Sequence, residues 1–109
     1  MPTDPTAILD LIHESVVMCD MDGRVIFWNE AAGALYGWPP AEALGRNFRE
    51  LVCIDEAETT SAAKAALLAT GRWEGELRRR NAAGEALVID VRWALPTQYV
   101  FLVIGVVGA

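Results

Sequence analysis

The chain has 109 residues, the size of one domain that can bury a core without a metal or a disulfide. Hydrophobic residues make up 53% and charged residues 22%, so the chain folds rather than remaining disordered. The net charge of −6 opposes attraction to phosphate backbones and anionic lipid. Length and charge together argue against a multidomain enzyme, a nucleic-acid-binding protein and a membrane-surface protein.

The N-terminal segment predicts a short amphipathic helix. Its apolar stripe consists of Ile8, Leu11 and Ile12, and the segment begins with Asp-Pro, a pair typical of helix starts. No basic region followed by an apolar run precedes it, so no signal peptide is indicated. We expect a flanking helix over residues 1–14 and one domain over residues 15–109.

Two apolar runs, Ser15–Cys19 and Arg24–Trp28, flank Asp22-Gly23. Asp-Gly tolerates the positive φ angles of a hairpin turn, so the runs are predicted to pair as antiparallel strands. Asn29 then precedes EAAGALYG, where its side chain can cap a helix. Trp38-Pro39-Pro40 blocks that helix, and Pro40 can open a second one that stops at Gly45.

The rest of the chain predicts two more helices and three strands. NFRELV gives one helical turn, and residues 55–58 resemble a capping box before a long alanine-rich helix that ends at Gly71. Apolar strands follow at Arg72–Arg80, Glu85–Leu95 and Gln98–Val107. The predicted order is ββααααβββ, an α+β fold with a five-stranded antiparallel sheet and helices on one face.

The order of these motifs resembles a known family. DMDGRVIFWNEAA, then GW, then AEALGR resembles the first half of a PAS domain, and GRWEGELRRRNAAGE, at residues 71–85, is similar to the family's later strand and glycine hairpin. The resemblance covers about residues 7–107. It implies a PAS fold and a sensory role, in which a cavity between sheet and helices binds a small molecule and strand shifts reach an attached C-terminal effector, commonly a histidine kinase or a cyclic-dinucleotide enzyme.

The resemblance allows flavin binding to be tested position by position. Blue-light PAS domains carry G-x-N-C-R, whose cysteine forms an adduct with flavin, but GRNFREL keeps Asn47 and places Phe48 where the sulfur would be. The family's flavin-contacting Asn and Gln align with Arg79 and Val107. These departures argue against a covalent flavin photosensor. Trp73 matches the W-x-G motif of redox flavin-binding PAS domains, so non-covalent FAD stays open as an alternative.

Heme and zinc have no matching ligands in the sequence. Heme-binding PAS domains usually offer a His from the long helix, but residues 56–70 contain none, and we interpret His13 as a surface residue. One His and two separated Cys cannot complete a zinc site. We interpret Cys19 and Cys53 as reduced, half-buried thiols, in keeping with a cytoplasmic location. No nucleophile has a plausible base partner, so no enzyme activity is predicted for the chain.

The resemblance and strand periodicity together give a candidate pocket. Arg79 shares a face with Trp73 and Leu77, so it either points inward, where it can pair with a carboxylate ligand, or bends outward to form a surface pair with Glu85, which is the preferred interpretation. The candidate lining residues are Val25, Phe27, Asn47, Phe48, Leu51, Leu67, Trp73, Leu77, Arg79 and Ile89.

Strand periodicity also predicts an exposed apolar patch on the outer face of the sheet. Strict alternation turns Val25 and Phe27 toward the helices, which leaves Ile26 and Trp28 on the opposite face. The stripe of Ile8, Leu11 and Ile12 is the expected cover, either from the same chain or from a second copy in a homodimer. The leading prediction is a cytoplasmic PAS sensory module. The alternatives are a structural dimerisation module without a ligand and a redox flavoprotein.

Overall fold

The computed structural model describes residues 14–52, 57–95 and 100–107. The predicted N-terminal helix, His13, Cys53 and the start of the predicted capping box lie outside these ranges. The strands and helices are β1 (Ser15–Asp20), β2 (Val25–Trp28), α1 (Glu30–Tyr36), α2 (Pro40–Ala43), α3 (Phe48–Val52), α4 (Ala57–Thr70), β3 (Arg72–Arg80), β4 (Ala86–Ala94) and β5 (Val100–Val107). This order confirms the predicted ββααααβββ arrangement.

The five strands form one antiparallel sheet in the order β2-β1-β5-β4-β3. The segment that carries the four helices leaves the sheet from one edge strand, β2, and returns to it at the other, β3. A connection of this kind has to cross a face of the sheet. The space between that face and the helices is therefore closed by elements far apart in sequence.

The predicted turn and helix starts are confirmed. Gly23 has a φ of +88°, and one carboxylate oxygen of Asp20 accepts hydrogen bonds from the backbone N–H groups of Asp22 and Arg24, each at 2.9 Å. The side chain of Asn29 caps α1 by accepting a bond from the N–H of Ala32 at 2.9 Å. The helix ends at Tyr36, before a glycine in the left-handed conformation.

A β-bulge corrects the predicted faces of β2. Phe27 pairs with Met18 and Val25 pairs with Cys19, so Ile26 has no partner of its own in β1. The extra residue reverses the alternation, and both Val25 and Trp28 are buried on the helix-facing side. The prediction that Trp28 lies on the outer face is therefore wrong. Phe27 lies on the outer face instead, together with its strand partner Met18.

The core fills the space on the helix-facing side of the sheet. Trp28 lies at its centre, with ring centroids 5.5 Å from Tyr36 and 6.2 Å from Phe48, and the latter two rings meet edge-on at 6.0 Å. Such tilted and edge-on arrangements are the favoured geometries of aromatic pairs. Further buried residues of this cluster include Val17, Cys19, Val25, Val52, Leu77, Ile89, Val91 and Val103.

Candidate functional site: a cavity between the sheet and the helices

A cavity of about 210 Å³ lies between the helix-facing side of the sheet, helices α3 and α4, and the turn after β1. Its position follows from the crossing of the helical segment described above. It is lined by Met21, Asp22, Gly23, Asn47, Phe48, Arg49, Lys64, Leu67, Leu68, Arg79 and Trp93.

Backbone hydrogen bonds fix one wall of the cavity against the start of β2. The N–H of Val25 donates to the carbonyl of Arg46, and the N–H of Phe48 donates to the carbonyl of Gly23, each at 2.9 Å. The side-chain oxygen of Asn47 accepts a bond from the N–H of Arg49 at 2.9 Å and so holds the first turn of α3. This wall is therefore set by the hairpin turn.

Arg79 is the most unusual residue in the cavity wall. It lies in β3 and is only 1% exposed, whereas its neighbours Arg78 and Arg80 are exposed. The preferred interpretation from sequence, an outward side chain that pairs with a surface residue such as Glu85, is wrong, because Arg79 is buried and the Glu85 carboxylate accepts a bond from the amide of Asn81. The strand continues through Arg80, so Arg79 keeps the inward orientation of its face.

The guanidinium of Arg79 has almost no compensation for its burial. Among the described residues, its one hydrogen bond runs from Nη1 to the carbonyl of Arg78 at a long 3.4 Å, and its buried Nε–H has no acceptor there. No carboxylate in residues 14–52, 57–95 or 100–107 forms a salt bridge with it. A buried cation without a counter-charge is costly, so the site is electrostatically incomplete.

Trp93 carries a second orphaned donor at the other end of the lining, opposite Trp73 and about 20 Å along the strand from Arg79. It lies in β4, is 7% exposed, and its indole Nε1–H is buried without an acceptor among the described residues. Its ring packs against Trp73 with a centroid distance of 5.1 Å. The Trp73 ring in turn lies over Gly75, where a Cβ atom would come within 2.5 Å of it. Gly75 is therefore needed for this arrangement of the two indoles.

The lining carries more positive than negative charge. Arg49, Lys64 and Arg79 face one carboxylate, that of Asp22, although the chain as a whole has a net charge of −6. Arg49 and Lys64 are exposed, and only Arg79 is buried. Local positive charge in a concave site attracts anions even when the protein is acidic overall.

The structure separates the sequence-predicted pocket residues into groups. Asn47, Phe48, Leu67 and Arg79 line the cavity. Trp73 packs beside it, and Phe27 lies on the outer face. The remaining candidates are core residues that are not part of the lining: Val25, Leu51, Leu77 and Ile89.

Sequence reasoning missed several residues of the lining, chiefly Met21, Lys64, Leu68 and Trp93. Trp93 had a usable signal, because it alternates with Ile89 and Val91 in β4 and so belongs to the same face. Met21, Lys64 and Leu68 line the cavity because of the tertiary position of α4 relative to the β1–β2 turn. No local sequence pattern specifies that position.

The part of the chain that the structure describes has neither a metal-ligand cluster nor a helix that could span a membrane. No cluster of three or more His, Cys, Asp or Glu side chains suited to a metal ion occurs in residues 14–52, 57–95 and 100–107. Across the same ranges, the helices are too short or too polar to span a bilayer.

Comparison with known proteins identifies the family. The family model described as PAS fold matches residues 3–108, and the chain belongs to this family. A search of curated proteins finds no significant relative. PAS domains are regulatory sensory modules, generally without catalytic activity of their own. This protein therefore belongs to the class of sensory signalling modules.

Solved PAS structures share the fold at low sequence identity. A PAS domain of a protein from Colwellia psychrerythraea is 23% identical with a TM-score of 0.86, and covers 94% of this chain and 92% of its own. The PAS domain of a LuxR-family transcriptional regulator from Burkholderia thailandensis, in complex with ethanol, is 18% identical with a TM-score of 0.82, covering 95% and 96%. A LOV domain from a blue-light-activated histidine kinase of Erythrobacter litoralis is 19% identical with a TM-score of 0.77, covering 88% and 96%.

Proposed function

We propose that this PAS domain is a sensory module that binds a small molecule in the cavity between sheet and helices and passes the signal to an attached effector, such as a histidine kinase or a cyclic-dinucleotide enzyme. The observation that carries the proposal is the buried guanidinium of Arg79 in the wall of that cavity, whose Nε–H has no acceptor among the described residues. Buried polar groups are usually satisfied, and an orphan in a cavity wall is typical of a site completed by a ligand.

The size of the cavity limits the ligand. About 210 Å³ is below the roughly 300–1,000 Å³ of pockets for drug-sized molecules, so the site suits a compound smaller than a flavin. The similar Burkholderia domain was solved in complex with ethanol, which is also small. These points favour a small-molecule sensor over a redox flavoprotein.

A second role, dimerisation through the outer face of the sheet, is supported by apolar residues on that face. Ile26 is 50% exposed, and Phe27 and Met18 are half-buried beside it. We propose that the flanking segment, residues 1–14, covers this patch in a homodimer. The sequence is acidic and has two cysteines without a CxxC pattern, which supports our proposal of a sensor in the cytoplasm.

A thermal-shift screen tests the sensory proposal. Small alcohols, amides, amines and acids are added to the 109-residue chain, together with FAD and heme, and at least one small compound is expected to raise the melting temperature saturably. The variant Leu67→Phe, which fills the cavity from α4, should lose the response. Leu44→Phe is the matched control, because Leu44 is 46% exposed and lies outside the cavity lining.

The opposite results of the same screen support the alternatives. If no compound stabilises the chain, a structural dimerisation module becomes the better account. A yellow preparation, or a stabilisation by FAD alone, supports the redox flavoprotein.

A further inference from the structure

We propose that the ligand is a small monocarboxylate with an apolar body, and that its oxygens accept hydrogen bonds from the guanidinium of Arg79. This inference rests on the proposed sensory function of the same cavity and names the chemical class of its ligand. It is drawn from the donors, the charges and the shape of the cavity wall.

The chemistry of Arg79 selects an anion. Its side chain is 1% exposed, and among the described residues its Nε–H has no acceptor and its one hydrogen bond is 3.4 Å long. A guanidinium has only donors, arranged in a planar fork that matches the two oxygens of a carboxylate. A bound carboxylate supplies both the missing acceptors and the missing negative charge.

The strand register keeps Trp93 out of this contact. Trp93 pairs with Trp73 and Arg79 pairs with Leu87, so about 20 Å of strand separates the two residues along the sheet. One carboxylate therefore cannot reach both, and Arg79 is the group that binds it. A cationic ligand would bring further donors and a positive charge to Arg79, whereas a carboxylate supplies the acceptors that Arg79 lacks.

The distribution of charge favours one negative group on the ligand. Lys64 and Arg49 are exposed residues of the lining, where they attract anions towards the cavity. Arg79 is the one buried cation in the wall, and it can neutralise one charge. The carboxylate of Asp22, also in the lining, opposes a ligand that carries a second negative charge.

The remaining walls fit an apolar body. Phe48, Leu67 and Leu68 contribute ring and aliphatic surface, and the volume of about 210 Å³ suits a molecule of about one ring. Benzoate has this composition, a single carboxylate on one apolar ring, and serves as the probe. Benzamide is the matched neutral compound, with nearly the same shape but no charge.

The test measures binding of benzoate, benzamide and inorganic phosphate to the 109-residue chain by calorimetry and thermal shift in a low-chloride buffer. Benzoate is expected to bind about tenfold or more tightly than benzamide, because the bond to Arg79 is charge-assisted. Arg79→Met should weaken benzoate binding by about the same factor. Arg80→Met is the control and should change nothing, because Arg80 is exposed on the same strand.

Arg79→Lys guards against a folding defect, since it keeps the charge but removes the fork, and should bind benzoate with intermediate affinity. Equal binding of benzoate and benzamide, or unchanged benzoate binding in Arg79→Met, overturns the carboxylate assignment but leaves the sensory function standing. Tighter binding of phosphate than of benzoate also overturns it. If benzoate fails while another compound of the screen binds, the ligand class is wrong, and if nothing binds, both proposals fail.

Discussion

The indole of Trp28 donates a hydrogen bond from Nε1 to the backbone carbonyl of Trp38 across 2.8 Å. Trp28 is the last residue of β2, and Trp38 lies in the break between α1 and α2. The bond therefore joins the edge of the sheet to the helical layer. Trp38 extends the connection by donating from its own indole to the carbonyl of Leu51 in α3 at 3.1 Å.

Trp28→Phe should lower the free energy of unfolding by about 2 kcal/mol or more, since it removes buried ring volume and leaves the Trp38 carbonyl without its partner. Urea denaturation measures the change. Ile26→Ala is the control on the same strand, with an expected effect within about 0.5–1 kcal/mol, because Ile26 is half exposed in the bulge. A larger loss for Ile26→Ala than for Trp28→Phe would contradict the bulged register.

Asn29 connects three segments through one buried side chain. Its Oδ1 accepts from the N–H groups of Ala32 at 2.9 Å and Val16 at 3.0 Å, and its Nδ2 donates to the carbonyl of Glu14 at 3.0 Å. Asn29→Ala should cost about 2–4 kcal/mol, because a lost cap adds to the unsatisfied buried groups.

The control for this prediction is Asn47→Ala, which removes a cap that accepts a hydrogen bond from the N–H of Arg49 at an exposed site. Its expected cost is about 1 kcal/mol. Both values come from urea titrations under the same conditions. Similar costs for the two variants would show that the additional bonds of Asn29 contribute little.

Arg79→Met should stabilise the ligand-free protein. The substitution removes a buried, poorly paired charge and keeps a flexible apolar chain of similar length, so we expect a gain of about 1–3 kcal/mol in the free energy of unfolding. Thermal or urea unfolding of the dialysed protein measures it. A loss of stability in Arg79→Met would mean that the guanidinium is satisfied in the absence of ligand.

Dimerisation through the outer face can be tested with two sets of charged substitutions. Leu11→Glu with Ile12→Glu, and separately Ile26→Glu, should convert the expected dimer into a monomer, because each places charge in the apolar patch. Light scattering measures the mass. Leu68→Glu on α4 is the control for an exposed leucine on another surface. An unchanged mass in the first two variants would refute this interface.

Local patterns predicted most of the fold. The Asp-Gly turn, the Asn29 cap and the Trp38-Pro39-Pro40 break each specify their own backbone geometry, and the structure confirms them. The faces of β2 could not be predicted in this way, because one extra residue at Ile26 reverses every orientation after it. The bulge depends on the pairing with β1 rather than on the sequence of β2.

The candidate site was less predictable than the fold. Alternation along β3 correctly placed Arg79 on the inner face, but the low probability of burying an unpaired charge made a surface pair with Glu85 the preferred interpretation. That expectation fails where a ligand supplies the missing partner, which is what we propose here. Lys64 and Met21 line the same cavity only because of the tertiary packing of α4 and the hairpin turn.

The most direct test of the carboxylate site is the Nε–H signal of Arg79 in a ¹H–¹⁵N spectrum titrated with benzoate, assigned with Arg79→Met. We predict a saturable shift of this signal with benzoate and little or none with benzamide at the same concentration. The indole signals of Trp28 and Trp38, which already donate to carbonyls of the protein, should move little. An Arg79 signal that stays in place in excess benzoate, or that shifts equally with benzamide, would contradict the carboxylate assignment.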